Sequence, residues 1–215
     1  MASITRPLRA ATPEPLAAPG VARILGLDPA AAGATGFAVV ETDGRACRVL
    51  HYGAVKPKRN ATPSARLEGI HTLVAKLLAD FSPSAVAVES PFAAINIRSA
   101  LLLAEVRGVV LLAAAQQQVP VESYSPREIK ANVAGYGQAS KEQVQVMVRS
   151  QLHLDELPQP HDAADALAVA LCHIHSQRSR ARVTRALSAG AASGNAGRAQ
   201  RISGFRGRVP PPRGA

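Results

Sequence analysis

The sequence predicts an α/β protein with one mixed sheet and helices on both of its faces. The predicted elements follow the order β-β-β-α-β-α-β-α-α-α along 215 residues, a pattern that favours a layered sheet over a barrel. The strands are short and apolar, and most of the helices show apolar residues at helical spacing. With 47% apolar residues, the chain has enough apolar material to build the core that such a sheet requires.

The strands are predicted where short, β-rich runs end at turn signals. Residues 23–41 form a strand-turn-strand unit whose turn contains only small residues and proline, and Thr42-Asp43-Gly44 then opens a hairpin to the third strand. The five predicted strands cover residues 23–27, 37–41, 45–55, 85–89 and 119–124.

Three helix starts are marked by capping residues. Thr62 before Pro63 predicts the N-cap and first position of an amphipathic helix over 63–81. Ser125 and Ser140 each stand three residues before a Glu or Gln, which is the capping-box pattern. These boxes predict one helix that ends by residue 135 and another that ends near residue 152.

Two further helices are unusually apolar. The helix predicted over about 98–118 has too few polar residues for a free surface, so it is either deeply buried or part of an interface. The last helix is predicted over 161–175, after which Ser, Ala, Gly and Arg dominate the sequence.

The charge divides the chain into unequal parts. The formal net charge is +10, but all 15 acidic residues lie before residue 166, and residues 176–215 contain nine Arg and no acid. We therefore expect a disordered Pro/Ala-rich extension over 1–22, one folded domain over 23–175, and a disordered Arg-rich tail over 176–215.

The two cysteines are far apart and form no metal-binding spacing. Cys47 and Cys172 fit a reduced compartment and give no sign of a structural zinc site. No segment predicts a membrane span or a secretory signal. The sequence therefore predicts a cytoplasmic protein.

Two predicted strands end on a carboxylate. Asp28 follows the first strand and Glu89 ends the fourth, and in open α/β sheets ligands gather at the carboxyl ends of strands. A carboxylate at such a place needs a cation, a metal or N–H partners, because its desolvation is costly. Asp28 on its own fits equally well a turn Asp that bonds its own backbone.

Two more carboxylates lie in the last helix, in the sequence HDAADALAVAL. Asp162 and Asp165 are three residues apart and so share one face. Asp162 also fits the ordinary preference for an acid in the first turn of a helix. Asp165 is harder to explain in this way, because its small apolar neighbours predict close packing on the sheet.

Together these acids predict a cluster of three or four oxygen ligands for a hard cation, Mg²⁺ or Mn²⁺. Two ions about 3.5–4 Å apart, bridged by a carboxylate such as Asp28, would support in-line phosphoryl transfer. One ion would generate the hydroxide nucleophile and the other would stabilise the leaving 3′ oxygen.

Several motifs resemble those of the RuvC-type Holliday junction resolvases, over roughly residues 23–175. The motifs that carry the resemblance are ILGLDP, TGFAVV, VAVESPF, RGV, REIKANVAGYGQASKEQVQVMV and DAADALAVAL. The resemblance implies a ribonuclease-H-like fold, Mg²⁺ and a homodimer through the helix after Asn96. It also implies paired symmetric nicks in four-way DNA junctions that leave 5′-phosphate and 3′-hydroxyl ends. A branch-migration motor of the same pathway is the further implied partner.

The resemblance also implies roles for individual residues. It assigns catalysis and metal binding to Asp28, Glu89, Asp162 and Asp165. Phe92 matches an aromatic residue that stacks on an unpaired base, a contact worth about 1–3 kcal/mol, although it also fits a core position. The remaining DNA-binding residues that it implies are Asn96, Lys130 and Lys141.

Some positions differ from the family pattern. Ala30 replaces a usual Gly, Ser90 a usual Gln or similar polar residue, and Ile95 a frequent Lys. These differences affect the expected phosphate contacts and sequence preference, and they leave the acid cluster intact. His161 lies beside Asp162 and could assist as a ligand. The sequence favours a helix-capping or surface role for His161 over that ligand role.

Two other functions compete with a junction endonuclease. An actin- or sugar-kinase-like ATP-binding protein has a similar strand-turn-strand, but that fold needs two related halves and a glycine-rich adenosine site. A non-catalytic junction-binding protein would not require the complete acid set. The Arg-rich tail is interpreted either as an arm that neutralises phosphates or as a low-complexity extension.

Overall fold

A computed structural model describes residues 3–4, 17–31, 33–90 and 97–203, with side chains from residue 17 to 188 within these ranges. The strands are β1 Ser3–Ile4, β2 Ala22–Asp28, β3 Thr35–Thr42, β4 Cys47–Lys56, β5 Ala85–Glu89 and β6 Val121–Tyr124. The helices are α1 Pro63–Phe81, α2 Ile97–Gln116, α3 Pro126–Ala134, α4 Lys141–Gln151 and α5 His161–Ser203.

The strands form one mixed sheet in the order β1-β4-β3-β2-β5-β6. The antiparallel meander β2-β3-β4 makes one half, and β5 and β6 continue from β2 in parallel pairing. All five predicted strands are present, so the predicted mixed sheet is confirmed.

A sixth strand lies in the segment that we predicted to be a disordered extension. Ser3–Ile4 pairs antiparallel with Val55 and Lys56 at the end of β4. The prediction of no structure in this segment is wrong for these two residues. The physical reason is that β4 would otherwise expose its backbone hydrogen-bonding groups along an open edge.

Helices cover both faces of the sheet, and the core is therefore double. On one face α1 and α2 bury residues such as Val74, Leu77 and Val110 against the strands. On the other face α3, α4 and the first part of α5 bury residues such as Val148 and Leu167. This three-layer arrangement holds the carboxyl ends of β2 and β5 between two packed layers of helices.

The predicted caps form as the sequence indicates. The Thr62 hydroxyl accepts a hydrogen bond from the Ala65 backbone N–H, and Ser125 and Ser140 both complete capping boxes. These caps satisfy backbone N–H groups that have no partner inside the helix. They set the starts of α1, α3 and α4, and with α4 the position of Lys141.

The last helix is longer than predicted. Its buried part ends at Ile174, close to the predicted end at His175, but the helix continues to Ser203. The predicted end is wrong because residues 176–203 contain no proline and many Ala and Arg, which are strong helix formers. Residues 177–215 form a second compact unit of the chain. No helix among the described residues is both long and apolar enough to cross a membrane.

Candidate active site

The pairing of two parallel strands brings the first two carboxylates to the same edge of the sheet. Leu27 in β2 pairs with Val88 in β5, so the next residues, Asp28 and Glu89, lie side by side at the carboxyl ends of their strands. The apolar residues before them are fully buried. The backbone therefore delivers two partly buried carboxylates to one place.

The N-terminus of α5 brings the other two carboxylates to this edge. Gly36 pairs with Asp28 across the β2–β3 ladder, and a β-carbon built on Gly36 would overlap the backbone carbonyl of Asp162. Glycine at this position thus allows the first turn of the helix to lie directly on the sheet. Asp165 follows one turn later and is partly buried, with 24% of its side chain exposed.

The electrostatics show that Asp28 and Glu89 respond to the charges of neighbouring acids. Burial and the charges of Glu89, Asp165 and Asp162, against the opposing effect of Lys141, together raise the pKa of Asp28 to about 8. Burial and the charge of Asp165 raise the pKa of Glu89 to about 7, while Lys141 and Lys130 oppose the rise. Such repulsion between partly buried carboxylates is what a bound cation relieves.

A lysine supplies positive charge to this cluster. The Lys141 ammonium donates a hydrogen bond to Asp165 Oδ2 at 2.6 Å. Burial lowers the pKa of Lys141, but the hydrogen bond and charge of Asp165, with the charges of Asp28 and Asp162, more than offset this effect and raise the pKa. Lys141 stands at the first position of α4, so the capping box at Ser140 fixes where its side chain begins.

The donor set fits a hard divalent cation. Its four side chains offer only carboxylate oxygens, the ligand type that Mg²⁺ and Mn²⁺ prefer. The described residues contain no group of three or more His, Cys, Asp or Glu already arranged to hold a metal ion. One carboxylate, Asp165, is instead paired with Lys141, so cation binding requires these side chains to rearrange.

The remaining predicted residues have different outcomes. Lys130 is half-buried, and its charge opposes the rise in the pKa of Glu89. Phe92 and Asn96 lie outside the described residues. His161 is exposed and its Nδ1 lies 2.7 Å from Nε2 of Gln145, so it contacts α4.

Sequence reasoning missed two residues that support the site. Gln145 is 6% exposed and holds His161 beside Asp162. The sequence feature that could have identified Gln145 is a polar residue beside Val144, a buried position of α4. Arg66 in α1 donates to the backbone carbonyl of Ala31 in the turn after Asp28, and its Nη2 lies 3.7 Å from Oε2 of Glu105. An Arg in an amphipathic helix gives no comparable signal.

Two carboxylates at the carboxyl ends of β2 and β5 and two at the start of α5, on a mixed sheet with helices on both faces, fit a nuclease of the ribonuclease-H-like class. The family model described as "Crossover junction endodeoxyribonuclease RuvC" matches residues 24–173. The chain belongs to this family of metal-dependent nucleases.

Curated relatives with the same description are similar in sequence to this chain along nearly their whole length. The relative from Natranaerobius thermophilus is 44% identical over 74% of this chain and 99% of its own. The relative from Dehalococcoides mccartyi (strain BAV1) is 48% identical over 73% of this chain and 92% of its own.

Solved structures are similar in the same region. Thermus thermophilus RuvC in complex with Holliday junction substrate is 38% identical, with a TM-score of 0.70 over 74% of this chain and 96% of that chain. The yeast mitochondrial Holliday junction resolvase Ydc2 shares the fold, with a TM-score of 0.52 over 76% of this chain and 84% of that chain, at 14% identity.

Proposed function

We propose that this protein is a structure-specific endonuclease that resolves four-way DNA junctions in recombination and repair. It would make paired symmetric nicks and leave 5′-phosphate and 3′-hydroxyl ends. The observation that carries the proposal is the convergence of four carboxylates from β2, β5 and α5, inside the region that matches the family. The structure of the Thermus thermophilus relative with a Holliday junction substrate supports the choice of substrate.

In this proposal Asp28, Glu89, Asp162 and Asp165 hold two Mg²⁺ ions, for which Mn²⁺ can substitute. When bound, the ions would activate the attacking water and stabilise the leaving 3′ oxygen of the scissile phosphate. Asp28 is the best candidate for a shared ligand, because its pKa responds to all three other acids. The packed layers on both sides of the sheet hold the strands and the helix that carry these four residues.

Two lysines have a separate task in the proposal. Lys141 neutralises the acid cluster through Asp165 and is 53% exposed, so its ammonium can turn to a DNA phosphate when cations occupy the carboxylates. Lys130 lies on the Glu89 side and would contact the DNA backbone there. Phe92 and Asn96 are proposed to contact the junction DNA on the basis of the family resemblance alone.

The outer face of α2 supports a homodimer. The helix buries Val106, Val110, Ala113 and Ala114 against its own domain. Its other side exposes Ile97 (80%), Leu101 (62%) and Leu112 (54%). Burying such apolar side chains is favourable by about 1.5–3 kcal/mol for each one. A dimer through this face would place two active sites on one junction, as paired nicking requires.

We further propose that the enzyme works in the bacterial cytoplasm with the branch-migration motor of its pathway. The bacterial source of the curated relatives from Natranaerobius thermophilus and Dehalococcoides mccartyi supports this setting.

The deciding experiment compares Asp165→Asn with the unmodified chain. We expect Mg²⁺-dependent nicking of a synthetic mobile four-way junction to fall by roughly 10²–10³-fold, the scale of losing one preorganised electrostatic group. Junction binding should persist. Asp155→Asn, at an exposed position before α5, is the matched control and should cut normally.

Two further arms, a linear duplex and a chelator, complete the experiment. A linear duplex of the same sequence should resist cutting, and a chelator should abolish cutting of the junction. Near-normal nicking by Asp165→Asn would reject the site assignment. Junction binding without nicking by the unmodified chain would instead indicate a non-catalytic binding protein.

A further inference from the structure

The second unit of the chain presents one strongly basic helical face. Within the described side chains, Arg178, Arg182 and Arg185 follow the i, i+4, i+7 spacing that puts them on one side of α5. We call these three residues the arginine face. The opposite side carries Val183 (59% exposed) and Leu187 (70% exposed), together with a fourth arginine, Arg180.

The positive charge of the protein is concentrated in this unit. Residues 177–215 contain nine Arg and no Lys, Asp or Glu, whereas the rest of the chain is nearly balanced, with 16 basic and 15 acidic residues. The unit itself therefore contains no acidic side chain. Charge of one sign at this density attracts anionic partners.

The basic unit lies beyond the part of the chain that matches the family. The family model ends at residue 173, and the relatives from Natranaerobius thermophilus and Dehalococcoides mccartyi cover 99% and 92% of their own lengths but only 74% and 73% of this chain. The basic helix is thus an addition to a nuclease domain that the relatives match without it.

We propose that the arginine face binds the sugar-phosphate backbone of a duplex arm of the substrate. This proposal rests on the proposed function, because a four-way junction has four duplex arms outside the cleavage centre. Arg suits this task better than Lys, since its planar fork pairs with two phosphate oxygens at once. The helix from residue 177 to 203 is roughly 40 Å long, comparable with one turn of duplex DNA at about 34–36 Å.

The binding is expected to be independent of sequence and sensitive to salt. Each neutralised phosphate contributes about −0.9 to the slope of log K against log [salt] for duplex DNA. Three Arg-to-phosphate contacts therefore add roughly two to three units of slope. The contacts raise affinity for junction arms and for plain duplex alike, because they do not read base edges.

The test measures binding of the full chain to a four-way junction and to a linear duplex, with chelator present and with salt varied. We expect the triple variant Arg178→Gln, Arg182→Gln, Arg185→Gln to reduce the slope by two to three units on both DNAs. The triple Lys variant at the same positions should keep most of the slope, because charge is retained. Circular dichroism of both variants checks that the helix persists.

A second control matches the change in net charge. The variant Arg45→Gln, Arg59→Gln, Arg149→Gln removes three exposed arginines of the first unit and should change the slope by less than one unit. An unchanged slope in the arginine-face Gln variant would overturn the proposal, as would an equal loss in the Lys variant. Nicking by the unmodified chain is measured separately, so a failed proposed function and a failed arginine face give different results.

Discussion

At the scale of single residues, Asp28 shows how neighbours change the character of a carboxylate. In isolation it fits an ordinary turn Asp, and its ordinary pKa is 3.8. Burial and three nearby acids raise that pKa to about 8. The attraction between a bound divalent cation and the ionised carboxylates offsets the free-energy cost of ionising such a group, so a charged cluster that is unfavourable alone becomes favourable when loaded.

The raised pKa values predict how stability depends on pH and metal. A group with a raised folded-state pKa contributes stability that is fully present below its unfolded pKa and lost as pH rises through its folded pKa. In chelator, the contributions of Asp28 and Glu89 should thus decline between about pH 4 and 8. Mg²⁺ binds the deprotonated forms, so its stabilising effect should grow with pH.

Thermal unfolding with Mg²⁺ or chelator at pH 6 and pH 8.5 checks this prediction. The Mg²⁺-induced rise in Tm should be larger at pH 8.5 by a few degrees, since about 1 kcal/mol moves Tm by about 2–4 °C in a domain of this size. The variant Asp28→Asn should lose most of this difference. An equal rise at both pH values would contradict the assignment of these acids to a metal site.

Gly36 illustrates a residue whose role is purely spatial. A β-carbon there would overlap the Asp162 carbonyl, so Gly36→Ala should push α5 away from β2 and β3. We expect a loss of about 1–3 kcal/mol in the free energy of unfolding, together with slower nicking. Gly33→Ala is the control, because its β-carbon would meet only the Ala30 β-carbon at 3.4 Å. Urea denaturation of both variants measures the effect, and equal stability of the two would show that α5 does not need this close approach.

At the scale of elements, α2 has one face in the core of the domain and an apolar face exposed at its surface. One face is completely buried in the domain, while Ile97, Leu101 and Leu112 are exposed on the other. A charge in the middle of the exposed face would be tolerated by a monomer and would destabilise a dimer.

If the protein forms the proposed dimer, Leu101→Glu should therefore convert it to a folded monomer that no longer makes the proposed paired nicks. Analytical ultracentrifugation gives the mass, and circular dichroism shows that the monomer is folded. Val146→Glu in α4, at a position with 54% exposure, introduces the same charge into another helix and should remain dimeric. A Leu101→Glu protein that is still a dimer would place the interface elsewhere.

At the scale of the whole molecule, the two cysteines differ in how deeply the folded domain buries them. Cys172 lies fully buried in α5, and burial together with the charge of Glu128 raises the pKa of its thiol to about 12. Cys47 is only partly buried at the start of β4. The reactive thiolate form of Cys172 is thus suppressed at the centre of the domain, whereas the Cys47 side chain is partly accessible at its surface.

We expect one thiol to react with a maleimide at pH 8 in the native protein and the second to react only on global unfolding. Mass spectrometry in increasing urea should show the second label appearing at the unfolding midpoint. Cys47→Ser should then remain unlabelled in the native state. Rapid labelling of that variant would mean that α5 opens locally in the native protein.

The sequence by itself determined five of the six described strands, the caps and the identity of the four candidate acids. Strand and cap signals are local: alternation, turn residues and a Ser three positions before Glu or Gln are complete within a few residues. The length of α5 was misjudged, because loss of burial after Ile174 was taken as the end of the helix. Helix propensity alone can continue a helix in solvent.

Only the tertiary structure decided which side chains meet. Gly36 against Asp162, Lys141 against Asp165 and Arg66 against the turn after Asp28 all join residues that are far apart in the chain. Such contacts depend on how helices pack on the sheet, which no local pattern encodes. The physical reason is that a carboxylate's pKa and its affinity for a cation are set by the charges and the burial around it, and these exist only once the chain has folded.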